Sequence, residues 1–283
     1  MLLPFFSAFL ITLTLPLSTS ANSGHIAPGL STLLCYPLSS SLNLPDPSPE
    51  SIATCNTSGI AVRLPPSLSS VTRRSDLYKA MPAGWLYGNW KATYSSQASY
   101  FPLHNTQWDL SPLFPQSDSH PGQINDLASY QLENSTVIYT SYGVDTPRRS
   151  NNKTLGPEWD DVYHYGWLGD LNQINGSFEA LSWGYDTLGV PYLVLYDSPI
   201  AAVGTSADID IFSRSDTGPS KTTVEALSVA LQSLNNTQIS QYVRDMMPLV
   251  QDGARRGLGP VVCDAACVNN TNSALFSHMS PTA

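Results

Sequence analysis

Between Leu86 and Ser213 the chain alternates between apolar and polar side chains in short runs rich in Tyr, Val, Ile, Thr and Trp. Runs at 86–95, 105–110, 127–133, 136–142, 161–168, 177–184, 191–196 and 207–213 are set apart by Gly, Pro, Asn and Asp breakers and predict eight β-strands. Period-two alternation of this kind gives a strand one face for a core and one for its surroundings. Glu133-Asn134-Ser135 and Asn175-Gly176 read as tight turns. Links so short join antiparallel neighbours, because a parallel crossover needs far more chain. Antiparallel strands in sequence close most economically into an up-and-down barrel, wide enough for packed side chains or one small ligand. The expected fold class is therefore mainly β, with eight antiparallel strands in one barrel.

After Arg214 the period changes. Ser215-Asp216-Thr217-Gly218-Pro219-Ser220 is turn and cap chemistry, and Val224, Leu227, Val229, Leu231 and Leu234 then give a helical apolar face. This predicts one C-terminal α-helix on the barrel wall. A second amphipathic stretch, Ile239 to Val250, is limited by Pro248 and Gly253.

Residues 1–21 read as a secretory signal peptide: the first 17 carry no charge, and Thr19 and Ala21 suit a cut after Ala21. No later run approaches the roughly 20 apolar residues of a membrane span. Residues 22–82 form a Ser/Pro-rich extension, 83–240 the barrel domain, and 241–283 a C-terminal extension with a Cys pair. The N-terminal extension either wraps the domain as extended chain or is a pro-segment, in which case Arg73-Arg74 is a dibasic cleavage site rather than a solvated pair. Cys35, Cys55, Cys263 and Cys267 suit two disulfides in an oxidising compartment. Three connectivities are open. Pairing between the two ends is favoured here, since Cys263 and Cys267 bridge poorly if their segment is helical. Glycan acceptor motifs stand at Asn56, Asn134, Asn152, Asn175, Asn235 and Asn269. The expected location is extracellular.

Charge narrows the partners. A net charge of −9 with only 13 Lys plus Arg argues against nucleic acid, whose phosphates need clustered cations. No motif for a cofactor or a metal is found, and the sequence does not address oligomeric state.

Gly88-Asn89-Trp90 enters the first predicted strand and Ser213-Arg214 leaves the last. Gly88 permits a close backbone turn, Trp90 supplies a large ring for the floor of a core, and a guanidinium over an indole face gains about 0.5–2 kcal/mol. Together with Gly189-Val190-Pro191-Tyr192 and the helix after Arg214, this order resembles the lipocalins of the calycin superfamily, nearest their lipoprotein-like branch. The resemblance implies an eight-stranded calycin barrel with a calyx for a small hydrophobic molecule. It makes Gly88, Trp90 and Arg214 structural.

Alternation makes Tyr94, Tyr163, Tyr165, Trp167, Tyr192 and Tyr196 candidate ligand-binding residues, with Ala92 and Val194 on the same faces. Aromatic rings offer contact area while O–H and N–H groups orient an oxygen-bearing ligand. The same aromatics can instead fill a small barrel. No nucleophile elbow, zinc-binding helix or phosphate loop is found. His164, beside Asp160 and Asp161, and Tyr165 are the candidates for proton transfer, unless His164 is structural. His104 falls in the expected first loop, and Asp208 and Asp210 either present carboxylates on one strand face or form a solvated edge. The function expected is carriage of a small hydrophobic ligand. The alternatives are a calycin-barrel isomerase or cyclase acting on a small lipophilic metabolite, and a filled barrel that acts through its surface.

Overall fold

The computed structural model describes residues 60–68, 78–79, 81–82, 84–114, 122–148 and 161–274. The expected signal peptide, most of the expected N-terminal extension, Cys35, Cys55, Asn56, Arg73-Arg74, Asn152 and Asp160 lie outside the described residues.

All eight expected strands form: β1 (Gly88–Ser95), β2 (Leu103–Phe114), β3 (Gln123–Leu132), β4 (Tyr139–Pro147), β5 (Val162–Trp167), β6 (Asn175–Tyr185), β7 (Pro191–Asp197) and β8 (Asp208–Ser213). Each pairs antiparallel with its successor, and β1 pairs with both β2 and β8, which closes the barrel. Where a loop was expected at His104, β2 already runs. The turn between β3 and β4 is the expected one, with Asn134 in the left-handed region at φ 61°.

The expected Asn175-Gly176 turn does not form. Those residues pair with Gly166 and Tyr165 inside the ladder, and the chain reverses at 168–174 instead. Gly176 serves packing rather than turning: a Cβ there would run into the Tyr165 phenol, which leans across it.

The motif residues close one end of the barrel. Arg214 lies over the Trp90 ring at 3.8 Å from its centroid and donates to the carbonyls of Asn89 at 2.8 Å and Tyr87 at 2.6 Å. Gly88 sits at φ 112°, and a Cβ there would lie 2.6 Å from Arg214 Nη1. Glycine is required both by the backbone angle and by the guanidinium above it. Burial lowers the Arg214 pKa to about 10.

Two helices follow, α1 (Lys221–Ser233) and α2 (Thr237–Asp245). Ser220 and Asn236 cap them, accepting from the backbone N–H groups of Thr223 and Ile239. The second helix stops before Pro248, and Met247–Pro248 instead forms β9, a short strand against Tyr94 and Ser95 of β1. Leu227, Leu231 and Ile239 are fully buried against Tyr192, Val194, Tyr196, Ile209 and Ile211 on the outer face of β7 and β8. The same cluster takes in Val62 and Leu64. Residues 60–68 of the N-terminal extension thus lie on the wall, where buried Arg63 donates from Nε to the Ala180 carbonyl at 2.6 Å.

The C-terminal extension mends a gap in the sheet. The described residues of β5 pair with β4 only from Gly143 onward, leaving Thr140 and Tyr142 without strand partners on that edge. Asn272 and Asn270 accept from their backbone N–H groups at 2.8 and 2.7 Å. The expected pairing between the two ends is overturned: Cys263 and Cys267 are joined to each other, with Cα atoms 5.1 Å apart. The helix α3 (Ala265–Val268) begins only after Asp264, which is extended, so Cys263 lies outside the helix and can fold back onto Cys267. No helix of the described residues is long and apolar enough to cross a membrane.

Candidate functional site

The inward face of the barrel divides into an apolar floor and an acidic chamber. On the floor, Trp183 and Tyr185 pack edge to face on Trp85, Trp90 lies tilted against the same ring, and Leu193 and Leu110 stand beside them. Above it lies a partly open cavity of about 110 Å³. Its apolar wall is Ala92, Leu103, Trp108, Trp167, Phe178, Leu195 and Phe212, and its loop-side rim includes Gln97, Ser99, Ser198 and Ser206. An enclosed apolar space of roughly 150 Å³ holds benzene, so the chamber suits a compact ligand or one end of a longer one.

Four carboxyl groups line the chamber: Asp126, Asp197, Asp208 and Asp210. Among the described residues, no Lys, Arg or His lines it. Asp197 and Asp208 are directly paired across β7 and β8, and Asp210 faces Leu195 one step further along. Burial pushes Asp210 up to about 7, with a hydrogen bond to Ser95 pulling the other way. Burial, with Asp210 and Asp197 as neighbours, holds Asp208 well above the usual carboxylate range. Asp197 is raised by burial and then by Asp210 and Asp126.

Across the chamber, Asp126 accepts a hydrogen bond from the Trp108 indole, and burial raises it to about 6. Asp145 stands behind it, fully buried, and neither of its oxygens meets a donor among the described residues. Its neighbour is the Asp126 carboxyl, and two facing carboxyls bond to each other only when one keeps a proton. Burial drives Asp145 upward, and Asp126 adds to the shift, so that proton rests on Asp145. The phenols of Tyr100 and Tyr165 complete the set, both held in the O–H form by burial above all. At neutral pH the chamber therefore offers hydrogen-bond donors more than negative charge.

The structure sorts the sequence candidates by face. Tyr165 and Trp167 line the cavity; Tyr163 shares their face but stacks on Phe178 with centroids 5.0 Å apart. Tyr94, Tyr192 and Tyr196 do not reach the cavity. Tyr192 and Tyr196 point outward under α1 and α2, and Tyr94 packs on the same cluster. For Tyr94 the cause is a bulge: the register of β1 on β8 shifts between Ala92 and Tyr94, so Ala92 faces in, Tyr94 out, and Ser95 in again. For Tyr192 and Tyr196 the starting phase of β7 is the reverse of the expected one, so Leu193, Leu195 and Asp197 are the inward set.

The proposed proton-transfer pair also separates. His164 is exposed on the outer face, as strand alternation beside an inward Tyr165 requires. Asp161 instead holds the Tyr78 hydroxyl at 2.7 Å and the Met81 N–H. His104 meets Asp252 at 3.5 Å, away from the chamber lining. Asp208 and Asp210 are no solvated edge; they are 4% and 1% exposed and face the chamber. Sequence reasoning missed Asp126, Asp145 and Asp197. The available signal was a carboxylate at the period-two positions that otherwise read as core in β3, β4 and β7. Of the glycan acceptors, Asn134, Asn175, Asn235 and Asn269 are all exposed. Among the described residues no group of His, Cys, Asp and Glu is arranged to hold a metal ion.

The barrel, its Arg214–Trp90 closure and the helix on its wall have the lipocalin-like architecture that the sequence resemblance implies. No protein-family model matches the chain. A relative does: the Botcinic acid biosynthesis cluster B protein 12 of Botryotinia fuckeliana (strain B05.10) is 32% identical over 219 residues, spanning 76% of this chain and 93% of that protein. The chain belongs to the family of this cluster protein. Solved structures similar to the chain include lobster apocrustacyanin A1, at 16% identity and TM-score 0.38 over 58% of this chain and 77% of that one. H1 crustacyanin from the lobster Homarus americanus follows at 16% identity and TM-score 0.39, over 62% and 80% respectively. A biogenic amine-binding protein stands at 12% identity and TM-score 0.38, over 65% and 86%.

Proposed function

We propose that the barrel holds a small, largely apolar organic molecule, and that the protein acts in the biosynthesis or handling of a secondary metabolite. The observation that carries this is the chamber itself, a space of about 110 Å³ walled by aromatic rings and dotted with oriented polar groups. The named relative supports the metabolic setting. Residues 1–21, the exposed glycan acceptors and the Cys263–Cys267 disulfide support secretion.

The test is to secrete the full chain from a fungal host, purify it under native conditions, and extract and weigh what it carries. A stoichiometric lipophile is expected, together with a loss of protein mass on glycan removal. An empty protein that also shows no saturable uptake of compact hydrophobic probes overturns the binding role. Unchanged mass after glycan removal, or retention of the N-terminal residues, overturns the secreted glycoprotein reading.

One observation favours catalysis as a second reading. Asp126 and Asp210, at about 6 and 7, stand near the pH at which a carboxyl exchanges protons most usefully, inside a site that limits water. An isomerisation or cyclisation that moves a proton between two positions of one molecule needs no cofactor. His164 takes no part in it, being on the other face. Multiple turnovers of the extracted metabolite, abolished by Asp126→Asn or Asp210→Asn, would establish this role; release of the molecule unaltered would leave a carrier.

A further inference from the structure

The binding reading leaves the ligand's chemistry open, and the carboxyls around the chamber narrow it. Apolar cargo alone gives no reason to bury four carboxyl groups against one cavity, since each costs desolvation that a Leu at the same position would avoid. The groups are also set in a way that fixes what they present. Asp197 and Asp208 sit directly across β7 and β8 from one another, with Asp210 next along the strand and, among the described residues, no Lys, Arg or His in the lining to neutralise them. Like charges so placed repel. Asp210 is 1% exposed, and its Oδ1 has no partner among the described residues although the side chain borders the cavity. A buried polar atom left unmatched in this way is costly unless something entering the cavity meets it.

We propose that the chamber selects a compact neutral molecule carrying carbonyl or ring oxygens, such as a cyclic ketone or lactone, which accept hydrogen bonds from Asp210, Asp208 and the phenols of Tyr100 and Tyr165. The inference rests on the binding role proposed above. An amine fits less well. Ionised carboxylates would attract it, but the chamber must first shed protons held there by burial and by mutual repulsion. A neutral acceptor meets the groups as they already stand, with no such reorganisation. The apolar remainder lies against Trp108, Phe178 and Phe212.

The prediction has a pH sign. The groups around Asp210 are Asp208 on its own strand, Asp197 on β7, Ser95 on β1, Tyr100 in the β1–β2 loop and, in the same lining, Tyr165 and Asp126, with Asp145 behind Asp126. None is a cation. Raising the pH through about 7 removes the Asp210 proton, converting a donor into an acceptor that repels the ligand's oxygen. Affinity for a ketone should therefore fall as pH rises.

Three matched six-membered rings test this on the full-length protein by ligand-observed NMR: cyclohexanone, methylcyclohexane and cyclohexylamine, at pH about 5.5 and about 8.5, on either side of the Asp210 transition. Cyclohexanone should bind about tenfold tighter than methylcyclohexane at the lower pH, the worth of one good hydrogen bond. It should lose most of that advantage at the higher pH. Asp210→Asn keeps an N–H donor and removes the titration, so it should flatten the ketone's pH dependence. Tyr165→Phe should weaken the ketone without changing the pH dependence. Equal affinity for ketone and hydrocarbon would overturn the oxygen preference and leave the binding role standing. An amine that binds tightest, and more tightly as pH rises, would overturn it in favour of a cation site. Failure of all three rings to bind would overturn the binding role itself.

Discussion

The two faces of β7 and β8 are built from alternate residues of the same strands, yet they behave as different materials. Outward, Tyr192, Val194, Tyr196, Ile209 and Ile211 join Leu227, Leu231 and Ile239 in a buried apolar layer under two helices and residues 60–68. Inward, Leu193, Leu195 and Phe212 alternate along the chain with nothing so uniform: Asp197, Asp208 and Asp210 stand among them around a partly open cavity. The outer layer spends every position on packing. The inner one leaves space and keeps groups whose burial is unfavourable. The division concentrates packing on the wall and unfavourable burial in the chamber, a local inconsistency of the kind expected at functional sites.

The sharpest way to break this comparison is to weaken the wall. Leu231 is fully buried between α1 and the barrel. Leu231→Ala should cost about 2–5 kcal/mol, from lost burial plus the cavity left behind. Denaturant unfolding measures it, and at permissive temperature the folded variant should bind the same probes as the parent. A cost below about 1 kcal/mol, well under the range for such a site, would mean the wall is not where the stability resides.

The inner face should respond in the opposite direction, and through pH. Asp126, Asp145, Asp197, Asp208 and Asp210 are all raised above their unfolded values by burial. The folded state then holds more protons than the unfolded one between the unfolded carboxylate pKa, about 4, and the folded values, so stability falls as pH rises through that window. For Asp210 the loss is complete just above pH 7. Thermal unfolding followed from pH 5 to 8 should therefore show a falling midpoint. Asp210→Asn should be worth a few kcal/mol of added stability at the upper end and close to nothing at the lower. A midpoint that rises with pH would show that these carboxyls are ionised and paired.

How far the sequence foretold all this follows the same division. Strand count, antiparallel order and helix placement were legible because strands buried on the wall and the floor read as short apolar runs between breakers, as in Tyr192-Leu193-Val194-Leu195-Tyr196 between Pro191 and Asp197. Face assignment was not. An apolar residue on either side of β7 is buried, so composition cannot say which side is the calyx, and the bulge after Ala92 changes phase without changing residue type. The carboxyls were misjudged for a related reason. An Asp in a strand ordinarily marks a solvated face, and Asp208 and Asp210 depart from that rule because the cavity, rather than bulk water, is their surroundings. The Cys263–Cys267 bridge depended on where a four-residue helix begins, which periodicity does not resolve.

The smallest effect concerns the end where the two faces meet. Arg214 donates to three carbonyls, those of Trp85, Tyr87 and Asn89, while its guanidinium covers Trp90. Arg214→Ala removes the stacking and leaves those carbonyls short of a donor, so stability should drop by about 1–3 kcal/mol. The cavity lies elsewhere: neither Arg214 nor Trp90 is among its lining residues. Probe binding and its pH dependence should consequently survive once the loss of folded protein is corrected for. Arg214→Lys separates the two contributions, since an ammonium keeps the charge but lacks the planar fork that reaches several carbonyls while stacking on the indole. It should recover only part of the lost stability. A variant as stable as the parent would remove the closure role from Arg214. One that binds differently while still folded would show that the end of the barrel and the calyx are mechanically coupled, and the wall could then no longer be treated as separate from the chamber it surrounds.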